Sequence, residues 1–126
     1  MNPSPGHRDH PEHSVAETRV AHRVSARIDG QVVAESDDVI RVDETGAPPR
    51  FYFPRESVKV DRLTPSDTRT HCPFKGDASY YSVTTSAGDT VDDVIWTYEQ
   101  PYPAVAAIAG HVAFYPNKAE ISVVPQ

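Results

Sequence analysis

The chain has a single cysteine, Cys72, in 126 residues. A lone thiol excludes an internal disulfide. It also excludes a single-chain zinc site built from four cysteines, or from two cysteines and two histidines. Glycine is scarce, six residues against twelve prolines, which points to short elements joined by stiff turns rather than to a helix bundle. Long apolar runs are missing: the longest, Ala104 to Ala109, is far too short to cross a bilayer, and the N-terminus lacks the charged-then-apolar pattern of a secretory leader. Basic residues are in deficit, twelve Lys and Arg against eighteen Asp and Glu for a net charge of −6, a balance that argues against a phosphate-backbone binder. GxGxxG, Walker, GxSxG and HExxH motifs are absent, as are cysteine pairs at metal spacing. The expectation is therefore a soluble, cytoplasmic domain with no metal, no cofactor, no nucleic-acid partner and no membrane association.

What is present suits one small globular domain: hydrophobic residues make up 38% and charged residues 24%, enough for a single core. Residues 1–14 have no apolar side chain after Met1 and hold Pro3, Pro5 and Pro11, so they read as a mobile tail that cannot repay its ordering entropy. His7, His10 and His13 are spaced three apart, but Pro11 disfavours the helix that would align them, and incidental metal pickup outweighs a built site. The domain proper is expected over 19–126.

From Arg19 the pattern has period two, with Val20, His22, Val24, Ala26 and Ile28 on one face and arginines on the other. Asp29-Gly30 supplies a tight turn, and residues 31–36 return as the partner strand. Further strands are expected over 39–42, 50–53, 58–63, 78–85 and 91–99, with one helical turn over 54–57 and a turn over 64–67. Residues 112–115 and 119–124 are read as a closing hairpin. Pro103 and Gly110 bracket the one expected helix, near 103–109. About eight short strands and this helix make a mainly β, antiparallel sandwich or partly open barrel.

Charge is unevenly spread: residues 1–49, 50–76 and 77–126 carry net −4, +3 and −5, so the middle third is where an anionic ligand is electrostatically welcome. That third contains Thr70-His71-Cys72-Pro73-Phe74-Lys75-Gly76. A thiol beside a histidine and three residues from a lysine suits a nucleophilic thiolate, with His71 or Lys75 assisting; the plainer reading is a small buried residue at a turn. Lys75 serves more simply as an anchor for an anion. Aromatic residues lie mostly within the expected strands, and alternation sends one of Tyr80-Tyr81 and one of Phe114-Tyr115 inward. Trp96 and Tyr98 share a face. Arg41, Glu44, Asp61 and Lys75 are candidates for a polar cluster at a cavity mouth, against a structural ion pair as the plainer alternative.

The leading expectation is thus a small-molecule-binding domain whose cleft is lined by Arg41, Glu44, Tyr52, Lys75, Tyr80, Trp96 and Tyr98, with a planar or anionic ligand. Two alternatives stand beside it: an enzyme using Cys72 as nucleophile, and an interaction module using an edge strand or the acidic face, the chain being a monomer or weak homodimer.

His71-Cys-Pro-Phe-Lys-Gly-Asp-Ala-Ser-Tyr-Tyr-Ser-Val83, Ile95-Trp-Thr-Tyr98 and Pro103-Ala-Val-Ala-Ala-Ile-Ala-Gly-His-Val-Ala-Phe-Tyr115 closely resemble the family called domain of unknown function 427. Pro48-Pro-Arg-Phe-Tyr-Phe-Pro54 and Val60-Asp-Arg-Leu63 fit it too, so the resemblance covers roughly Val20 to Val124. It implies a β-tent, two small antiparallel sheets meeting at a steep angle around a cleft. The zinc knuckle of other β-tent groups has no counterpart here, since it needs two cysteine pairs. Nor does the chain offer the Gly-Ser loop and Asp-x-Asp that the family's nucleotidyltransferase-like label would require.

Overall fold

Asp29 and Gly30, both at positive φ (51° and 81°), turn strand β2 (Arg23–Ile28) back into β3 (Gln31–Ser36), the hairpin that the Asp-Gly pair predicts. The computed structural model describes residues 6, 10, 12–59, 62–85 and 88–124. Among these, ten strands form three antiparallel sheets, where the sequence reading expected two sheets of about eight strands. Two sheets have three strands each. One is ordered β1 (Val15–Arg19), β4 (Ile40–Glu44), β5 (Arg50–Tyr52); the other β10 (Glu120–Val124), β2, β3. The third has four, ordered β6 (Arg62–Cys72), β7 (Gly76–Thr84), β8 (Thr90–Thr97), β9 (Val112–Phe114).

The four-stranded sheet lies between the other two, because strand alternation sends its neighbouring residues into separate cores. Tyr81, Ile95 and Phe114 pack with Val24, Ala26 and Val33 of the β2–β3 hairpin. Tyr80, Trp96 and Ala113 pack with Ile40, Val42 and Tyr52 of the β4–β5 sheet. Phe53, just past β5, belongs to the first core while Tyr52 belongs to the second. Phe53 also exchanges backbone hydrogen bonds with Val112 (2.7 and 2.8 Å), tying one outer sheet to the edge of the central one.

Several expected elements are corrected. The strand expected to run from Arg19 is two strands in different sheets, broken at residues 20–22, and β1 begins at Val15, ahead of the expected domain start. The closing hairpin does not form: β9 pairs with β8, and β10 pairs with β2. Between them the N–H groups of Lys118 and Ala119 both donate to Tyr115 O (3.0 and 2.9 Å), a helix-like turn that carries the chain across to another sheet. The turn expected over 64–67 is a bulge inside β6, whose pairing with β7 slips between Pro65 and Arg69. The expected helix is a pair of 3₁₀ turns, Pro103–Ile108, kinked at Val105 (φ −129°, ψ 35°). Val105 and Ile108, three apart and fully buried, are its anchors, a spacing that 3₁₀ geometry eclipses on one side. The turn at Arg55–Ser57 and the short strand before it stand as expected.

No helix among the described residues is long and apolar enough to cross a membrane. Of the expected tail, residues 1–5, 7–9 and 11, His7 among them, lie outside the described residues, as does Asp61. At its inner end Ser14 N–H donates to Thr45 Oγ1 (2.8 Å) and Thr45 N–H to Ser14 O (2.9 Å).

Candidate functional site

Ile40, Val42 and Glu44 share one face of β4, and the burial of the first two aims the third toward the central sheet. The same parity on β5 puts Arg50 beside Tyr52. Opposite them, β7 contributes Tyr80 and β8 contributes Trp96, which are direct cross-strand partners. These side chains enclose a cavity of about 220 Å³. Tyr98 and Tyr115 complete its walls, and Ala47 and Pro48 form its rim.

The rings are held by one another. Trp96 Nε1 donates to Tyr52 Oη (3.1 Å), with the two rings edge to face at 89°. Tyr115 packs against Trp96 at 4.6 Å between centroids and lies nearly parallel to Tyr80 at 6.2 Å. Tyr115 Oη donates to Tyr80 Oη (3.2 Å), which also bonds Thr70 Oγ1 (2.9 Å). Tyr98 differs: it lines the cavity, and among the described residues its hydroxyl has no hydrogen-bond partner. Burial pushes the phenols of Tyr52 and Tyr98 far above the ordinary tyrosine range, and burial with the Tyr80 hydrogen bond pushes Tyr115 up to about 12. All three walls are therefore neutral donors at physiological pH.

The polar base of the cavity is an ion pair. The hairpin joining β6 to β7 turns over Pro73-Phe74-Lys75, with Gly76 at φ 125°. Glycine suits this position because L side chains rarely adopt that φ, and a Cβ would also crowd Gln100 O at 3.2 Å. This tight turn buries Lys75 to 7% exposure and delivers its ammonium to Glu44 Oε1. The other carboxylate oxygen, Oε2, takes a hydrogen bond from His13 Nε2 at 2.9 Å, and the His13 ring stacks on Phe74 at 3.8 Å. Burial pushes the Glu44 carboxyl up, but Lys75 and His13 together outweigh it and hold the group below the ordinary carboxylate value.

Six of the seven expected cleft residues thus line one cavity: Glu44, Tyr52, Lys75, Tyr80, Trp96 and Tyr98. Arg41 does not. It sits on the opposite face of β4, exposed, with Nε on Asp43 at 3.0 Å. Sequence reasoning also missed Arg50, Tyr115 and His13. Alternation along β5 and β9 carried the signal for the first two, whereas His13 lies before any periodic segment.

Cys72 is half-buried and packs against the second core. His71, its neighbour, turns the other way, with Nδ1 on Asp77 Oδ1 at 2.7 Å. Lys75 is engaged by Glu44. Neither expected assistant of a thiolate is bonded to the sulfur.

Fold and site together define a small all-β domain built around an aromatic pocket with a charged pair at its base. The family model described as Domain of unknown function (DUF427) matches residues 16–125, and the chain belongs to that family. No curated protein matches it.

Proposed function

We propose that the aromatic cavity binds a small planar molecule of one or two fused rings. The observation that carries this reading is a hollow of about 220 Å³ with five aromatic walls, one of them Tyr98, whose hydroxyl has no hydrogen-bond partner among the described residues. That volume is below the ~300 Å³ at which drug-sized pockets begin, so the ligand is of fragment size. Flat walls favour a flat guest, and the polar groups set its edge chemistry. Lys75 offers N–H donors, Glu44 offers an acceptor, and Tyr98 offers either. A ring with an adjacent carbonyl and N–H satisfies that set without bringing net charge.

A planar guest is better supported than an anion at this position. The Lys75 charge is already matched by Glu44, and a second negative group would face that carboxylate. We also read the cavity, walled by β4–β5 on one side and the central sheet on the other, as the cleft of a β-tent. The support is that its two walls come from separate sheets joined at the Phe53–Val112 bridge.

Trp96 is the chain's one tryptophan, which makes its fluorescence a direct reporter of the cavity. Titration with uracil, nicotinamide, adenine and indole should give saturable quenching by at least one of them, with Kd between about 10 μM and 1 mM as expected for so few ligand atoms. Tyr98→Phe should weaken that binding about five- to tenfold while leaving the melting temperature within a few degrees. Linear, non-saturating quenching by all four, in the wild type and the variant alike, refutes the reading.

A further inference from the structure

A second and larger concavity, about 620 Å³, lies on the other side of Pro48 and Arg50. Its apolar surface comes from Phe51, Phe114, Ile121 and the prolines 48, 49 and 116. Its polar surface holds three cations, Arg27, Arg50 and Lys118, against the two acids Asp29 and Glu120.

The arginines decide what this groove is for. Apart from Arg62, the other arginines among the described residues are satisfied: Arg19 by Asp38, Arg23 by Glu35 and Asp37, Arg41 by Asp43, Arg55 by Glu99, and Arg69 by two backbone carbonyls. Among the described residues, Arg27 and Arg50 have no hydrogen-bonded or ion-paired partner, although acids outnumber bases eighteen to twelve. Arg62, exposed at the start of β6, is similar but borders neither concavity. Glu120 stands directly across the β2–β10 ladder from Arg27, and still no ion pair forms. Lys118 is engaged by Asp92 O at 2.9 Å and by the face of Tyr115. Two half-buried arginines with no hydrogen-bonded or ion-paired partner among the described residues therefore border one largely apolar hollow, Arg50 lining the aromatic cavity as well.

We infer that this groove is a second ligand site, specific for a small organic oxyanion with an apolar body. The guanidinium fork matches the two oxygens of a carboxylate, sulfonate or phosphate monoester, and a site partly shielded from water strengthens that contact. Phe51, Ile121 and the prolines take the hydrophobic part of the molecule. The volume lies within the ordinary range for small-molecule pockets. Asp29 and Glu120 face the groove as well, so the affinity rests on the two arginines outweighing them.

Anilinonaphthalene sulfonate is a suitable probe, since it joins a sulfonate to a fused aromatic body and brightens in apolar surroundings. The wild type should bind one equivalent, with amide shifts in a ¹⁵N spectrum centred on Gly30, Phe51 and Ile121. Arg27→Gln should weaken binding about tenfold or more, and Arg27→Lys should recover part of the loss. Naphthalene without the sulfonate, and inorganic phosphate without the apolar body, should each compete poorly. Arg27 borders only this groove and Tyr98 only the aromatic cavity, so the two sites are separable. Arg27→Gln should leave Trp96 quenching by planar rings unchanged, and Tyr98→Phe should leave dye binding unchanged. Dye affinity unaltered in Arg27→Gln, or wild-type shifts centred away from residues 27–30, 48–51 and 116–121, overturns the inference.

Discussion

Lys75 reaches Glu44 across thirty-one residues of sequence, joining the tip of the β6–β7 hairpin to the last residue of β4. The pair fastens the central sheet to the β1–β4–β5 sheet at the base of the aromatic cavity. Taking an ammonium and a carboxylate out of water is expensive, and the arrangement persists because Glu44 keeps both oxygens bonded.

Removing Lys75 leaves the Glu44 carboxylate largely buried with only His13 bonded to it. Lys75→Ala should lower stability by about 3–5 kcal/mol, the range for breaking a buried pair. Replacing both, as Glu44→Gln with Lys75→Met, should restore most of that. Urea unfolding of the two single variants and the double variant measures the coupling; equal and additive losses would mean the pair contributes nothing as a pair.

Acid should act on the same contact. The Glu44 carboxyl titrates below its ordinary value near 4.5, so its contribution is complete above that value and is lost as pH falls through the lower folded one. The stability difference between wild type and Glu44→Gln should be constant from pH 7 to about 5 and shrink below 4.5. A difference that holds at pH 3 would contradict this.

Glu17 has the opposite sign. Its Oε2 is buried without a hydrogen-bond partner among the described residues. Burial pushes the carboxyl above 4.5, against hydrogen bonds from the backbone of Ala107 and Ile108 and the nearby His111. A raised carboxyl favours the fold when protonated and loses that contribution as pH rises through the folded value. Glu17→Gln keeps an oxygen for the backbone donors and removes the buried charge. It should melt a few degrees higher than wild type at pH 7 and equal to it near pH 4. A lower melting temperature at pH 7 would show that the charge is needed.

Alkaline titration should separate the tyrosines. Tyr52, Tyr98 and Tyr115 are held protonated by burial, so absorbance at 295 nm should show these three still un-ionised at pH 10.5, with their ionisation accompanying unfolding. Full phenolate absorbance from all six tyrosines at that pH, with the fold intact, would contradict the burial described.

Local chemistry made part of this molecule legible from sequence. Asp29-Gly30 had to turn, and the parity of Tyr80-Tyr81, Trp96-Tyr98 and Phe114-Tyr115 divided the aromatics between two faces as the two cores do. Arg41 was misplaced in the cleft despite a signal against it: it lies between Ile40 and Val42, out of phase with Glu44, and so faces away. Non-local pairing was not readable. Val15-Ala-Glu-Thr-Arg19 buries too little to show a pattern, and its strand exists because β4 supplies hydrogen bonds. Nothing in Pro116-Asn-Lys-Ala119 states that the next strand joins β2 instead of β9. The Lys75–Glu44 contact was visible only as a possible polar cluster, since sequence gives charge but not the burial that turns two charges into a lock.

Pro48 and Arg50 border both concavities, so they form a partition between two compartments. An occupant of either compartment that draws the Arg50 guanidinium to its own side withdraws it from the other. Thermodynamic reciprocity then fixes the outcome: whatever factor one guest imposes on its neighbour's affinity, the neighbour returns. With both proposed sites occupied, Arg50 would be the side chain through which the two guests are coupled.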